Sequence, residues 1–472
     1  MKAKIFLAIA AVALLAMGCS EKSETVPETT KGITFKATVN PAKTKALTDN
    51  GSTLQATWGE NETIALVYIL EDDMVKTTAT ITEVSSGGTA TITATLPNGV
   101  IDQQSVTLIY PASLVNSSGN IIPTATSEQD GTLSPERDLR VGYGTFAVEG
   151  TTASLNGGVS MDTQHAICKF SIKDADGAND LSVSSLIIKD VNDNIVTTVT
   201  PATPTNILYV TLPPTTATLW FEATSSDGKP YIAKGTANLS TGMFYRPTLK
   251  MATIGNAIGA NGKFYKNKTD AQAAGTLVSA VITYLGSETA EAGFTHGLAV
   301  ATRVVNGQWA SASGTHNTNR YTNFADALAA KESGSALSAG KDNETNFPAF
   351  YNALHNNISS VTSGCTKALP SSGTSGWFLP SAYQMNLIVK TVNNSSANLT
   401  EMPNNTLGFS RLNNAVINAT GSYLTSASTP TITTSTEYSA DNYWQYYATG
   451  SNGQAKSAPK TNFPYSLAVL AF

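Results

Sequence analysis

The residues able to do chemistry are few and far apart. The 472-residue chain holds four histidines (His165, His296, His316 and His355) and three cysteines (Cys19, Cys168 and Cys365). No histidine has a second ligand at the short spacing of a metal motif, so each reads as a structural or solvated imidazole. His316 falls in Gly314-Thr315-His316-Asn317, expected to be an exposed loop. Neither Cys168 nor Cys365 has an electropositive setting that would favour a thiolate. Both read as free buried thiols in different domains, the alternative being a single disulfide. Residues 373–376 (Gly-Thr-Ser-Gly) lack the spacing of a nucleophile elbow, and no phosphate loop is present. Glu71-Asp72-Asp73 reads as a charged turn. No catalytic set, metal or cofactor is expected. One stretch concentrates ligand-type residues: Tyr438, Tyr443, Trp444, Tyr446 and Tyr447 crowd around Asp441 and Asn442. Rings beside amides and carboxylates suit sugars or protein hot spots. Asp441, Asn442, Tyr443, Tyr446 and Tyr447 are therefore the candidate ligand-binding residues. The alternative is that half of these rings fill a core.

The elements that must carry such a site are set in an unusually uncharged chain. Charged residues make up 13%, against about a quarter in a typical domain, and the net charge is -5. That balance, without long basic runs, removes the driving force for nucleic-acid binding. Length predicts two to four domains. Thr, Ser, Asn and Gly supply the polar surface instead, as on secreted β-rich proteins.

The N-terminus reads as an address. Lys2 and Lys4 precede an apolar run, Ile5 to Met17, which is shorter than the roughly 20 residues of a membrane span. Gly18-Cys19 closes it, and Leu15-Ala16-Met17-Gly18-Cys19 resembles a bacterial lipobox. The resemblance implies removal of residues 1–18 and lipidation of Cys19, with Ala16 standing where Leu is usual. The alternative is an ordinary secretory signal with an incidental Cys. Residues 19–31 are polar and acidic, a tether between lipid and body.

From Ile33 onward apolar residues alternate with polar ones. Ile33, Phe35, Ala37 and Val39 form one such series, Ala90, Ile92, Ala94 and Leu96 another. Ala217, Leu219, Phe221 and Ala223 make a third. A period of two buries one face of a strand. Turn signals such as Asp49-Asn50-Gly51, Gly87-Gly88 and Asp227-Gly228 separate the runs. Short strands at this spacing predict antiparallel sandwiches. The ordered phrases ITFKATV, TWGENETIALVY, TLIYPAS, DLRVGYGTFAV, HAICKFSIKD and LSTGMFYRPTLK, across residues 31–252, resemble the Bacteroidales fimbrillin-like (Mfa-like) proteins. The resemblance implies two tandem β-sandwiches, 32–155 and 156–252, in a surface lipoprotein precursor of a pilus subunit.

Residues 253–262 are small and Gly-containing, and read as a linker. Beyond them helices are expected at Phe324–Lys331 after Thr322-Asn323, from Pro348 through Leu354, and from Ser381 with Ala382, Met385, Leu387 and Ile388 apolar. Aromatic strand-like runs close the chain. GWFLPSAYQMN (376–386), YLTSAS with Trp444, and SLAVLAF resemble the C-type-lectin-like domain related to formylglycine-generating enzymes. That implies an α+β domain over 263–472, with Trp377, Leu379 and Trp444 in its core. The paired reactive cysteines of those enzymes have no counterpart beside Cys365, so their activity is not implied. The calcium-binding triplet of lectins of this fold is not reproduced by Glu401 and Met402-Pro403-Asn404, nor its Trp-Asn-Asp strand by Trp444-Gln445. The fold class expected is mostly β, two tandem sandwiches followed by an α+β domain.

Pro41-Ala42-Lys43-Thr44-Lys45-Ala46 follows the first strand and precedes a turn. In fimbrillins, cleavage at a basic residue there removes the first strand, and a neighbouring subunit fills the groove by strand addition. Lys43 and Lys45 match those positions, although Arg is usual; the alternative is a solvated lysine pair. The resemblances together imply a non-enzymatic minor tip pilin at the cell surface. Its implied partners are other pilus subunits, the outer membrane through lipidated Cys19, and a glycan or protein ligand of the C-terminal domain. A non-polymerising outer-membrane lipoprotein that captures glycans remains the alternative.

Overall fold

The computed structural model describes residues 32–40, 48–49, 54–55, 58–122, 127–134, 137–358, 360–371, 373–394, 406–426, 430–449 and 452–472. Cys19, Lys43, Lys45 and the 401–404 phrase lie outside the described residues. The chain is mostly β. Among the described residues, no helix is long and apolar enough to cross a membrane.

The first unit holds β1 (Ile33–Val39), β2 (Thr48–Asp49), β3 (Leu54–Gln55), β4 (Thr63–Leu70), β5 (Asp73–Val84), β6 (Ala90–Leu96) and β7 (Ser105–Tyr110). After β8 (Glu128–Gln129), β9 (Arg140–Glu149), β10 (Thr152–Leu155) and β11 (Asp162–Thr163) complete it. Its main sheet runs β10-β1-β6-β5-β4-β7-β9-β11, and β10 pairs with β9 as well, closing the sheet on itself. Alternation announces the strands but not the closure, which depends on pairings more than a hundred residues apart. β1 lies antiparallel to β6 from Ile33↔Leu96 to Val39↔Ala90 and parallel to β10 at Thr34 and Phe35. Its burial alternates as its sequence does, with Ile33, Phe35, Ala37 and Val39 inside. Phe35 meets Phe146 edge-on at 5.8 Å. Glu71 and Asp72 make the β4–β5 turn, both at positive φ.

The second unit is a two-sheet sandwich of β12 (Ala166–Asp174), β13 (Val183–Lys189), β14 (Ile195–Val199), β15 (Ile207–Leu212), β16 (Thr218–Ser225), β17 (Pro230–Thr236), β18 (Phe244–Tyr245) and β19 (Thr248–Met251). One sheet runs β15-β12-β18, with β19 also on β12; the other runs β17-β16-β13-β14-β8. β8 therefore crosses over from the preceding unit, and Gln129 anchors it by bonding Thr197 Oγ1 and the Thr211 carbonyl. Asp49 reaches the same unit, 2.5 Å from Lys169 Nζ and 2.9 Å from the Tyr209 hydroxyl, and pairs with Arg246.

The third unit begins earlier than its helices suggest. Residues 257–259, expected to be linker, are β20 of its first sheet: Ala257 and Ile258 are buried, and all three residues pair with β22. There follow β21 (Phe264–Tyr265), α1 (Lys268–Ala273), β22 (Val278–Leu285), β23 (Gly297–Ala301), β24 (Val305–Asn306), α2 (Phe324–Ala329), α3 (Gly334–Ser338), α4 (Pro348–Leu354), α5 (Ala382–Val392) and α6 (Thr406–Thr420). The last strands are β25 (Thr431–Glu437), β26 (Asn442–Thr449), β27 (Asn452–Pro459), β28 (Tyr465–Ser466) and β29 (Val469–Ala471). Its sheets run β21-β20-β22-β23-β29 and β24-β28-β25-β26-β27. Asn323 caps α2 through the Ala325 amide, and Ser381 with Gln384 forms a capping box on α5. Trp377 and Leu379 are buried as expected.

This unit docks on the second sandwich through a shared core in which Trp220, Ile232 and Ala252 pack with Ile258, Ala280 and Phe472. The Trp220 ring lies 3.9 Å from that of His296.

Candidate functional site

Most of the expected aromatic cluster is not available to a ligand. Tyr443 and Tyr446 are 0% and 1% exposed, and Trp444 is 7% exposed. The cause is burial of β26 on both faces. Tyr443 joins the core that contains Trp309, while Trp444 and Tyr446 join the core under α5 and α6. Alternation cannot spare a face for solvent when both are covered. Burial pushes both phenols up from their ordinary value. Tyr447 is half-buried and pairs across β25.

What remains at the surface is the turn that precedes β26. Asp441 is exposed and Asn442 half-buried, and the Asn442 carbonyl accepts from the Tyr438 and Ser439 amides. The turn forms one wall of a cleft of about 520 Å³. Tyr438 and Ser439 line that wall; Thr318, Asn319, Arg320, Tyr321 and Thr322 line the other. Tyr438 rests edge-on against Trp444 at 5.3 Å, and the Trp444 indole donates to the Tyr321 carbonyl at 2.8 Å. The Tyr321 hydroxyl and Asn319 amide both donate to Glu332 Oε1, at 3.1 and 3.3 Å. Burial and that carboxylate push the Tyr321 phenol up. Hydroxyls, an amide, the exposed Arg320 cation and a half-buried ring share this opening.

A buried ion pair holds the two walls together. Lys460 and Glu437 are each 0% exposed, with Nζ 2.6 Å from Oε1. Lys460 Nζ also donates to the Gly314 and Ala440 carbonyls at 2.5 and 2.8 Å, and lies 4.8 Å from the Trp309 ring centre. Glu437 accepts the His316 and Asn317 amides at 2.8 and 3.1 Å. Burial lowers the Lys460 ammonium from its ordinary value, with Glu437 opposing that shift. The pair thus ties the 314–317 loop to the ends of β25 and β27. His316 is consequently not in an exposed loop: its ring packs 5.0 Å from Phe347 and 5.7 Å from Trp309.

His296 has neighbours that local spacing cannot show. Its Nδ1 lies 2.7 Å from Glu222 Oε1, and Asp193 joins them in a group whose ligand-type atoms all fall within 4.8 Å. Lys189 Nζ occupies the middle, 2.9 Å from Asp193 and 3.0 Å from Glu222. The ammonium supplies the positive charge a metal would supply, so this is a charge network at the junction of two units. Burial alone would raise Glu222, but the His296 hydrogen bond and Lys189 outweigh it and hold the carboxyl below its usual range. Asp193 is held low in the same way, chiefly by Lys189.

The two described cysteines are buried and unbridged. Burial pushes the Cys168 thiol up to about 12, which removes it as a nucleophile near neutrality.

No protein-family profile and no curated protein matches the sequence. Among solved structures the fold is similar to a fimbrial protein from Bacteroides ovatus, at 14% identity over 94% of this chain and 99% of that one, with a TM-score of 0.28. It is also similar to a fimbrial assembly protein from Parabacteroides distasonis, at 11% identity over 46% of this chain and 90% of that one, also at 0.28. At these TM-scores the likeness adds nothing to the strand order already described.

Proposed function

We propose that the chain is a non-enzymatic adhesive subunit of a surface fimbrium, exported as a lipoprotein acylated at Cys19. Assembly proceeds by loss of β1 after cleavage at Lys43 or Lys45, followed by entry of a strand from a neighbouring subunit. One observation carries this reading: β1 is a complete, single-sided insert. All seven of its residues pair with β6, its apolar half is buried, and Lys43 and Lys45 follow within six residues of its end. Removing it would bare an apolar slot between β6 and β10, with backbone groups on both edges, which any strand of the same alternation could fill.

We place this subunit at a filament end, with its C-terminal unit distal. β29 is buried on both faces and pairs with β23, so it is committed to its own domain. The cleft between Arg320 and Tyr438 would then face outward as the ligand site, and its mixture of hydroxyl, amide and ring groups suits a glycan. Immunogold labelling of intact filaments tests this: the expected result is label confined to filament ends. Label along the shafts would contradict the terminal position, and label restricted to the membrane would contradict assembly and leave a non-polymerising glycan-capturing lipoprotein.

A further inference from the structure

Lys460 and Glu437 are placed for more than charge neutralisation. Both side chains are 0% exposed, and Nζ lies 2.6 Å from Oε1. The Lys460 ammonium has three N–H groups and meets three acceptors: Glu437 Oε1, the Gly314 carbonyl and the Ala440 carbonyl. When one proton passes to Oε1, the two carbonyls hold the two remaining N–H groups. The lone pair of the neutral amine then faces the Glu437 carboxyl. Burial favours that neutral amine, as it does for other desolvated lysine nucleophiles.

The carboxyl is set up as the matching electrophile. The His316 amide donates to Oε1 at 2.8 Å and the Asn317 amide to Oε2 at 3.1 Å. Two backbone N–H groups aimed at one carboxyl are the donors that stabilise a tetrahedral oxyanion. Main-chain bonds fix the frame around both side chains. The Gly314 amide donates to the Ala440 carbonyl at 2.9 Å, the Lys460 amide to the Asp441 carbonyl at 3.0 Å, and the Tyr321 amide to the Glu437 carbonyl at 3.1 Å. The Trp309 ring centre lies 4.8 Å from Nζ. Reactants held in contact and closed off from bulk water favour condensation over hydrolysis.

We propose that Lys460 and Glu437 become joined by an intramolecular isopeptide bond, formed by the folded chain without a co-reactant. Lys460 Nζ gives one proton to Glu437 and attacks Cδ, making the N–C bond. The tetrahedral adduct then breaks one C–O bond. That oxygen leaves as water with the transferred proton and a second amine proton. The third proton stays on the amide nitrogen, and nothing is oxidised or reduced. The bond closes a loop from residue 437 to residue 460 that contains β26 and the Tyr438–Ser439 wall of the cleft. It locks that wall against pulling, whether or not the chain enters a filament.

Intact mass and tryptic mapping of the folded full-length protein test the assignment. The expected mass is lower, by one water, than that of the sequence read from the same N-terminus. Trypsin does not cleave at an acylated lysine, so residues 412–456 should stay joined to residues 457–472 through the new amide. Lys460→Arg keeps the positive charge but offers no comparable nucleophile. It should restore the full mass and separate the two peptides. A wild-type chain of full mass that releases residues 457–460 as a free peptide would overturn the proposal and leave an ion pair only. A loss of water that persists in Lys460→Arg would also overturn it, because the bond would then lie elsewhere.

Discussion

Two strands frame the described chain, and they are held in different ways. β1 buries every second side chain, pairs with β6 along its whole length, and has polar residues on its other face. β29 is shorter yet buried throughout. Val469 and Ala471 enter the core under α5 and α6, while Leu470 and Phe472 enter the core shared with the second sandwich. Phe378 and Val469 also exchange backbone hydrogen bonds, at 2.8 and 2.9 Å. Under the proposed assembly, one-sided burial and regular pairing are what would make β1 replaceable. A strand that joins two cores cannot be lent to a neighbour.

The largest effect should separate the two directly. Deleting residues 469–472 is expected to abolish the cooperative melt of the C-terminal unit, with no rescue by a peptide of the deleted sequence. Proteolytic loss of β1 should instead leave that melt in place, and added ITFKATV peptide should bind and restore the first unit; calorimetry reads both.

Next come single substitutions inside each frame. Lys460→Met leaves Glu437 buried without its cation and should cost about 3–5 kcal/mol in the C-terminal unit, read by urea unfolding. Phe35→Ala should cost about 3–5 kcal/mol in the first unit by emptying its contact with Phe146. If Phe35→Ala destabilised the C-terminal unit equally, the units would not be separable and the comparison would break.

A smaller effect should appear in acid. Glu222 and Asp193 titrate below their unfolded values, so the stability they contribute is present above the ordinary carboxylate range. It is lost as pH falls below that range, through their lowered folded values. Glu222→Gln should flatten that acid limb of a melting-temperature profile, leaving the neutral side little changed in slope. The smallest structural effect belongs to the cleft. Arg320→Ala should shift stability by less than about 0.5 kcal/mol while reducing capture on a glycan array.

Much of the fold was legible because it obeys a single period. β1 and β6 follow their alternation, and α4 and α5 begin at Pro348 and after Ser381 as their caps require. The 15-residue α6 has no counterpart among the helices expected from sequence, although Phe409, Leu412, Val416 and Ala419 stand at helical spacing, because Asn413, Asn414 and Asn418 interrupt the apolar pattern. The site was less legible. The aromatics of β26 looked like ligand contacts because sequence shows alternation but not which faces are covered. Glu437 and Lys460 lie 23 residues apart, and Glu222 and His296 lie 74 apart. Pairs formed by tertiary folding at such separations leave no local pattern.

The central claim is that β1 is a temporary occupant of its slot. Mass spectrometry of the N-terminus of this chain in sheared surface filaments tests it most directly. The account predicts filament-borne chains that begin at Thr44 or Ala46, after Lys43 or Lys45, and lack Ile33–Val39. Filament-borne chains that keep Ile33–Val39, starting at an acylated Cys19, would contradict it.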